Sequence, residues 1–198
     1  MADSLIMNMG LFWKRSDVLW GSQGRGLKLE LLGVPAKGKR SDPINFCQQA
    51  GIYALYDESY RLIYVGQAID GDQSCLGFRL NMHRYNHLAG RWQLFSWFGL
   101  KSVNQNRTLR SVSQRKLTTA SMLDALEGIC IEISEPSQNQ RGGDFGKSCH
   151  QYLQFKDERL GLQDGDVPKQ IGLMAKQMKA LSKSVSDLNK GVVEQIKS

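Results

Sequence analysis

Gly51-Ile52-Tyr53-Ala54-Leu55-Tyr56 and Leu62-Ile63-Tyr64-Val65-Gly66 are two apolar runs separated by a polar link containing Asp57-Glu58-Ser59. Both runs are rich in β-branched and aromatic side chains, and the link is turn-prone, so they read as the arms of a β-hairpin. Downstream, residues 77–88 read as a helix that carries Arg79 and His83 four positions apart, hence on one face, while Leu76, Leu80 and Leu88 serve the core. Phe95-Ser96-Trp97-Phe98-Gly99-Leu100 reads as a third strand and the basic stretch 101–116 as a loop or long hairpin. Residues 117–133 have helical spacing, with Leu123, Leu126 and Ile133 apolar, Thr118 or Thr119 available as a cap, Glu127 in mid-helix and Pro136 as the stop.

Further outward the pattern is less regular. Residues 1–50 mix strand-like patches, Leu11-Phe12-Trp13 and 27–32, with Gly21, Gly24 and Gly26 and a polar basic loop, and they read as a lead-in packed on the core. Asp42 before Pro43 has the form of a short helix start. Arg141-Gly142-Gly143-Asp144-Phe145-Gly146 reads as a connection, and 149–155 as a last short helix. From Gly161 to Pro168 the composition is that of a linker. Beyond it Ile171, Met174, Met178, Leu181, Val185, Leu188 and Val192 alternate steps of three and four, with Ile196 extending the stripe less regularly. This is the seam of a coiled coil, expected to find a partner in a second copy or another protein, or to fold back on its own core.

At 198 residues, 41% hydrophobic and 23% charged, the chain has room for one well-buried core and an appendage, which excludes a large multidomain machine and a wholly disordered chain. The net charge of +7 favours polyanionic partners. Its distribution sharpens this: no acid occurs between Asp72 and Asp124, while Arg79, Arg84, Arg91, Lys101, Arg107, Arg110, Arg115 and Lys116 lie there. Solvated surfaces usually mix signs, whereas a surface facing phosphates does not. Lys101, Arg107, Arg110, Arg115 and Lys116, interleaved with amides and hydroxyls, are therefore the candidate nucleic-acid contacts, cations for phosphates and amides for base edges. No apolar run is long enough to span a bilayer, and the first residues lack the charge-then-apolar order of a secretion signal, so a cytoplasmic protein with no membrane partner is expected. Cys47, Cys75, Cys130 and Cys149 have neither metal-site nor disulfide-framework spacing and read as reduced, packed thiols.

Gly51-Ile52-Tyr53, ten residues, then Tyr64-Val65-Gly66 resembles the signature of the GIY-YIG nuclease superfamily, with Val in place of the second Ile. Such nucleases carry an Arg on the helix after the hairpin, a frequent His one turn later, a Glu on a later helix and an Asn beyond it. Arg79, His83, Glu127 and Asn139 stand in that order, with Pro136 before the Asn. The resemblance covers 51–145, and Arg-x-x-x-His with the compact size is most similar to the restriction-endonuclease branch. Gln67 departs from the repair branch, which often has Lys there.

The resemblance implies an α+β fold with a small central antiparallel sheet flanked by helices, here extended by a coiled-coil-like C-terminal helix. It divides the chain into a lead-in at 1–50, a nuclease domain at 51–160, and a linker with an oligomerisation or partner-binding helix at 161–198. It implies a Mg²⁺- or Mn²⁺-dependent DNA endonuclease of phage defence or restriction, or else a subunit of a larger defence complex, docked through the segment from Ile171 to Ile196 and inactive until assembled. Phosphodiester hydrolysis needs an activated water, counter-charge for the transition state and help for the leaving oxygen. By the resemblance Tyr53 is the base or holds the water, Tyr64 bonds the scissile phosphate or the water, and Arg79 grips a non-bridging oxygen with its planar fork. His83 relays the Tyr53 proton or contacts phosphate, Asn139 orients the strand, and Glu127 is the metal ligand, rivalled at nearby positions by Glu132 and Glu135. Gly51 and Gly66, lacking a Cβ, are supports that allow close approach of chain to chain or of chain to DNA. A phenol is a poor base at its ordinary pKa near 10 unless its surroundings favour the phenolate.

Overall fold

The structure, a computed structural model, describes residues 4–21, 28–38, 42–110, 117–135 and 138–162. The hairpin is present as β4 (Gly51–Tyr56) and β5 (Leu62–Ala68), antiparallel, with Tyr53 opposite Gly66 and Leu55 opposite Tyr64. A bulge falls between Leu55 and Tyr56. Helix α1 (Leu76–Met82) is shorter than the apolar spacing predicts, and residues 83–91 turn back to β6 (Leu94–Gly99), which pairs antiparallel with β4. Helix α2 (Thr119–Ser134) follows, opened by a capping box in which the Thr118 side chain accepts the Ser121 N–H and Ser121 returns a bond to the Thr118 N–H.

The fold is α+β, but its sheet is larger than the antiparallel core expected. The lead-in supplies β1 (Asn8–Lys14), β2 (Leu32–Pro35) and β3 (Ile44–Asn45), and β7 (His150–Gln154) inserts among them, for the order β3-β2-β7-β1-β6-β4-β5. The sheet is mixed because β1 runs parallel to β7, all other pairings being antiparallel. Two expected short helices are thus strands. After Pro43, Asn45 Oδ1 accepts the N–H groups of Leu31 and Cys47, which ties the segment to β2 and leaves no helical turn. Residues 149–155 pair with β1 on one side and β2 on the other, and Tyr152 is buried while its neighbours Gln151 and Leu153 are exposed.

Alternation along the strands divides the interior in two. Tyr53, Leu55, Phe95, Trp97 and Trp13 point to one face, where α1 covers them with Leu76 and Leu80. Ala54, Tyr56, Phe98 and Ile6 point to the other, where α2 covers them with Ala125, Ile129 and Ile133. This corrects the inward side expected of α2: Leu123 and Leu126 are 60% and 57% exposed. The connection after α2 runs close against the helix: a Cβ on Gly128 would stand 2.9 Å from the Phe145 ring, and one on Gly143 would stand 2.6 Å from the Gly128 backbone. Among the described residues no helix is long and apolar enough to cross a membrane. The expected coiled-coil segment lies outside the described residues.

Candidate active site

Tyr53 lies in mid-β4 and is fully buried. Its hydroxyl stands 2.7 Å from Nε2 of His83, the residue closing α1. A Cβ on Gly66, directly across the ladder, would lie 2.5 Å from the Tyr53 hydroxyl, so only glycine leaves room for that phenol. Gly51 has the same necessity in the backbone: its φ is 151° and a Cβ would meet the Phe98 carbonyl oxygen. Tyr64 sets its ring edge-on against His83, with centroids 4.8 Å apart, and 6.1 Å from the ring of Tyr53. Arg79, one turn before His83 on α1, has its Nε buried without a hydrogen-bond partner.

Electrostatics follow from this geometry. Burial raises the Tyr53 phenol to about 12, the neighbouring Tyr64 adds to the shift, and the Arg79 guanidinium pulls against both. Burial likewise holds His83 below its ordinary value, against the hydrogen bond with Asn86, which raises it, and with Arg79 and His87 adding to the lowering, so near neutrality the imidazole is uncharged. The His83 carbonyl accepts the Trp92 indole N–H at 3.2 Å, its Nδ1 faces the Asn86 side-chain amide at 3.0 Å, and Asn86 Oδ1 accepts the Leu88 N–H at 2.9 Å. Asn86 is a residue that the motif gives no reason to select; its only sequence signal is its place three residues after His83 on a helical turn.

Four of the six expected catalytic residues therefore meet: Tyr53, Tyr64, Arg79 and His83. Glu127 and Asn139 do not join them. Glu127 is exposed on α2, which packs on the opposite face of the sheet from Tyr53. Asn139 is exposed and lines a small cavity of about 310 Å³ with Glu132, Glu135 and Arg141. The residues present do not fit a Mg²⁺ or Mn²⁺ ion at Tyr53, since the expected carboxylate is across the sheet, and among the described residues no group of three His, Cys, Asp or Glu is placed to hold a metal.

The candidate nucleic-acid contacts separate as well. Lys101 is 6% exposed and its ammonium bonds Asp70 at 2.6 Å, while Asn8 and Gln49 donate to its carbonyl. It is a structural cation rather than a surface one, which corrects the expectation for that position. Arg107 reaches the Asp42 carboxylate at 3.0 Å. Arg110 is exposed and, with Lys37, Lys147 and His150, lines an open cleft of about 890 Å³ whose one acid among the described residues is Asp144. Arg115 and Lys116 lie outside the described residues. The cleft joins residues 37, 110 and 147, a grouping that sequence order hides. Arg84 stacks on Trp20 at 4.7 Å and Arg15 on Trp92 at 4.9 Å, so part of the basic excess braces aromatic rings. No protein-family profile, curated protein or solved structure matches the chain.

Proposed function

We propose that the chain is a DNA endonuclease of the GIY-YIG kind, a phosphodiester hydrolase of cytoplasmic phage defence or restriction. What carries the reading is the convergence of Tyr53, Tyr64, Arg79 and His83, which come from two strands and a helix. Two phenols and a guanidinium are a suitable set for the non-bridging oxygens of a phosphodiester, and Arg79 Nε, desolvated and unbonded, is a donor without an acceptor. A separate open cleft lined by Lys37, Arg110 and Lys147 carries cations of the kind that hold a nucleic-acid backbone. Dependence on Mg²⁺ or Mn²⁺ rests on the sequence resemblance alone. The test is incubation of the purified chain with supercoiled plasmid, with and without Mg²⁺ and with a chelator. Nicking or linearisation that is lost in Tyr53→Phe is the expected outcome, with the Mg²⁺ and chelator arms deciding whether a metal takes part; cutting that survives in Tyr53→Phe overturns the reading.

A second reading is favoured by the place of Glu127 and Asn139 on the far side of the sheet. In it the chain is a subunit of a larger defence complex, docked through the segment from Ile171 to Ile196 to a second copy or another protein, and silent until assembly brings a carboxylate to Tyr53. An isolated chain that binds but never cuts DNA, and acquires Glu127-dependent cutting with its partner, distinguishes this reading from the first.

A further inference from the structure

Within the Tyr53 cluster the hydrogen-bond directions can be assigned one after another, starting from a donor whose identity is not in question. The Leu88 backbone N–H can only donate, and it donates to Asn86 Oδ1 at 2.9 Å. That fixes the orientation of the Asn86 amide, so the group it turns toward His83 at 3.0 Å is the NH₂, also a donor. His83 Nδ1 must then offer a lone pair. In a neutral imidazole the single proton is therefore on Nε2, which stands 2.7 Å from Tyr53 Oη. The Tyr53 oxygen accepts that bond, and its own proton is directed elsewhere.

We propose that Asn86 is a positioning residue that locks His83 in the Nε2–H tautomer, so that His83 donates to Tyr53 Oη and the buried Tyr53 turns its own O–H away from the imidazole, on the side of the half-buried Tyr64 and Arg79. The polarity is opposite to a relay in which the imidazole removes the phenolic proton: a nitrogen already carrying hydrogen cannot accept another. The surroundings agree with this direction. Tyr64 packs against the imidazole and Arg79 lies on the preceding turn, so groups able to meet a phosphate oxygen surround the Tyr53 hydroxyl, and Gly66 opposite it adds no side chain. No covalent step is involved; Tyr53 and His83 each keep their proton. The tautomer is a property of the folded chain, and only its consequence for cutting rests on the function proposed above.

The ring nitrogens report the answer directly. In full-length protein labelled with ¹⁵N-histidine, with His87→Gln and His150→Gln leaving His83 as the one histidine, long-range proton–nitrogen correlation spectra at neutral pH separate a protonated nitrogen from a bare one. The expected pattern is a protonated Nε2 and a bare Nδ1. A protonated Nδ1 overturns the proposal without any variant of Asn86. Asn86→Asp replaces the donor with an acceptor and is expected to move the proton to Nδ1, and to slow plasmid nicking by about 10² to 10⁴, the upper end being that of an imidazole held in the wrong tautomer. Asn86→Asp nicking at the rate of the parent after the proton has moved overturns the positioning role. A parent chain that never cuts DNA removes the proposed function, and the nitrogen spectra alone then decide the tautomer.

Discussion

The two faces of the sheet differ in what their polar residues have for company. On the α1 face, Tyr53, Tyr64, Arg79 and His83 are packed against one another, with Tyr53 and His83 buried and their pKa values displaced by that burial, and with the Arg79 Nε donor left unpaired. On the α2 face, Ala125, Ile129 and Ile133 form an apolar contact with Ala54, Tyr56 and Phe98, and Glu127 stands exposed outside it. Desolvated polar groups cost stability unless something repays them, whereas an exposed carboxylate on a helix costs almost nothing. The expense is concentrated on one face, and that is where a bound phosphate would recover it.

The strongest way to break this contrast is to remove one group from each face. Tyr53→Phe and Arg79→Ala are each expected to lower plasmid nicking by about 10² to 10⁴, with circular dichroism showing an unchanged fold. Glu127→Ala in the isolated chain is expected to change nicking by less than about tenfold, because its carboxylate is exposed and across the sheet. Equal loss from Glu127→Ala and Tyr53→Phe would show that the two faces act together, as the motif order implies, in an arrangement different from this one.

A smaller effect tests the close approach beneath Tyr53. Gly66→Ala places a methyl 2.5 Å from the phenol oxygen, on a rigid ring held by His83, so something must shift. Overpacking of this kind costs about 1–3 kcal/mol, read from urea denaturation, and should reduce nicking more than Thr118→Ala. The latter removes only the α2 cap, for about 1 kcal/mol, and should leave nicking unchanged. Similar losses of activity from the two substitutions would mean that Gly66 matters to folding rather than to the site.

How much of this was legible in the sequence depends on the range of the contacts. The β4–β5 hairpin and the following helix are local, and the period-two runs, the turn and the Arg79–His83 spacing determine them. The convergence of Tyr53 with His83 could be anticipated because thirty residues of local structure connect them. Strand β7 could not: residues 149–155 pair with β1, about 140 positions away, and nothing in their own alternation names that partner. The inward side of α2 was misread for a related reason. Side-chain size favours Leu123 and Leu126, but the Gly143 backbone and the Phe145 ring approach so closely that Gly128 fits where leucine would not. Lys101 was misread because a cation in a basic stretch gives no sign that Asp70, 31 residues earlier, will neutralise it.

The mildest prediction sets the buried face against pH. His83 titrates in the folded chain below its ordinary value of 6.5, so as pH falls through that range the unfolded chain binds the proton first and stability declines. Tyr53 is raised from 10.0 to about 12, so above pH 10 the unfolded chain loses its proton first and stability declines again. Denaturation midpoints should therefore be highest between those limits. His83→Gln should flatten the acid limb, while Tyr53→Phe should only reduce the alkaline one, since burial also raises Tyr56 and Tyr152. An acid limb unchanged by His83→Gln would mean that His83 is solvated in the folded chain, and the desolvation that separates the two faces would be lost with it.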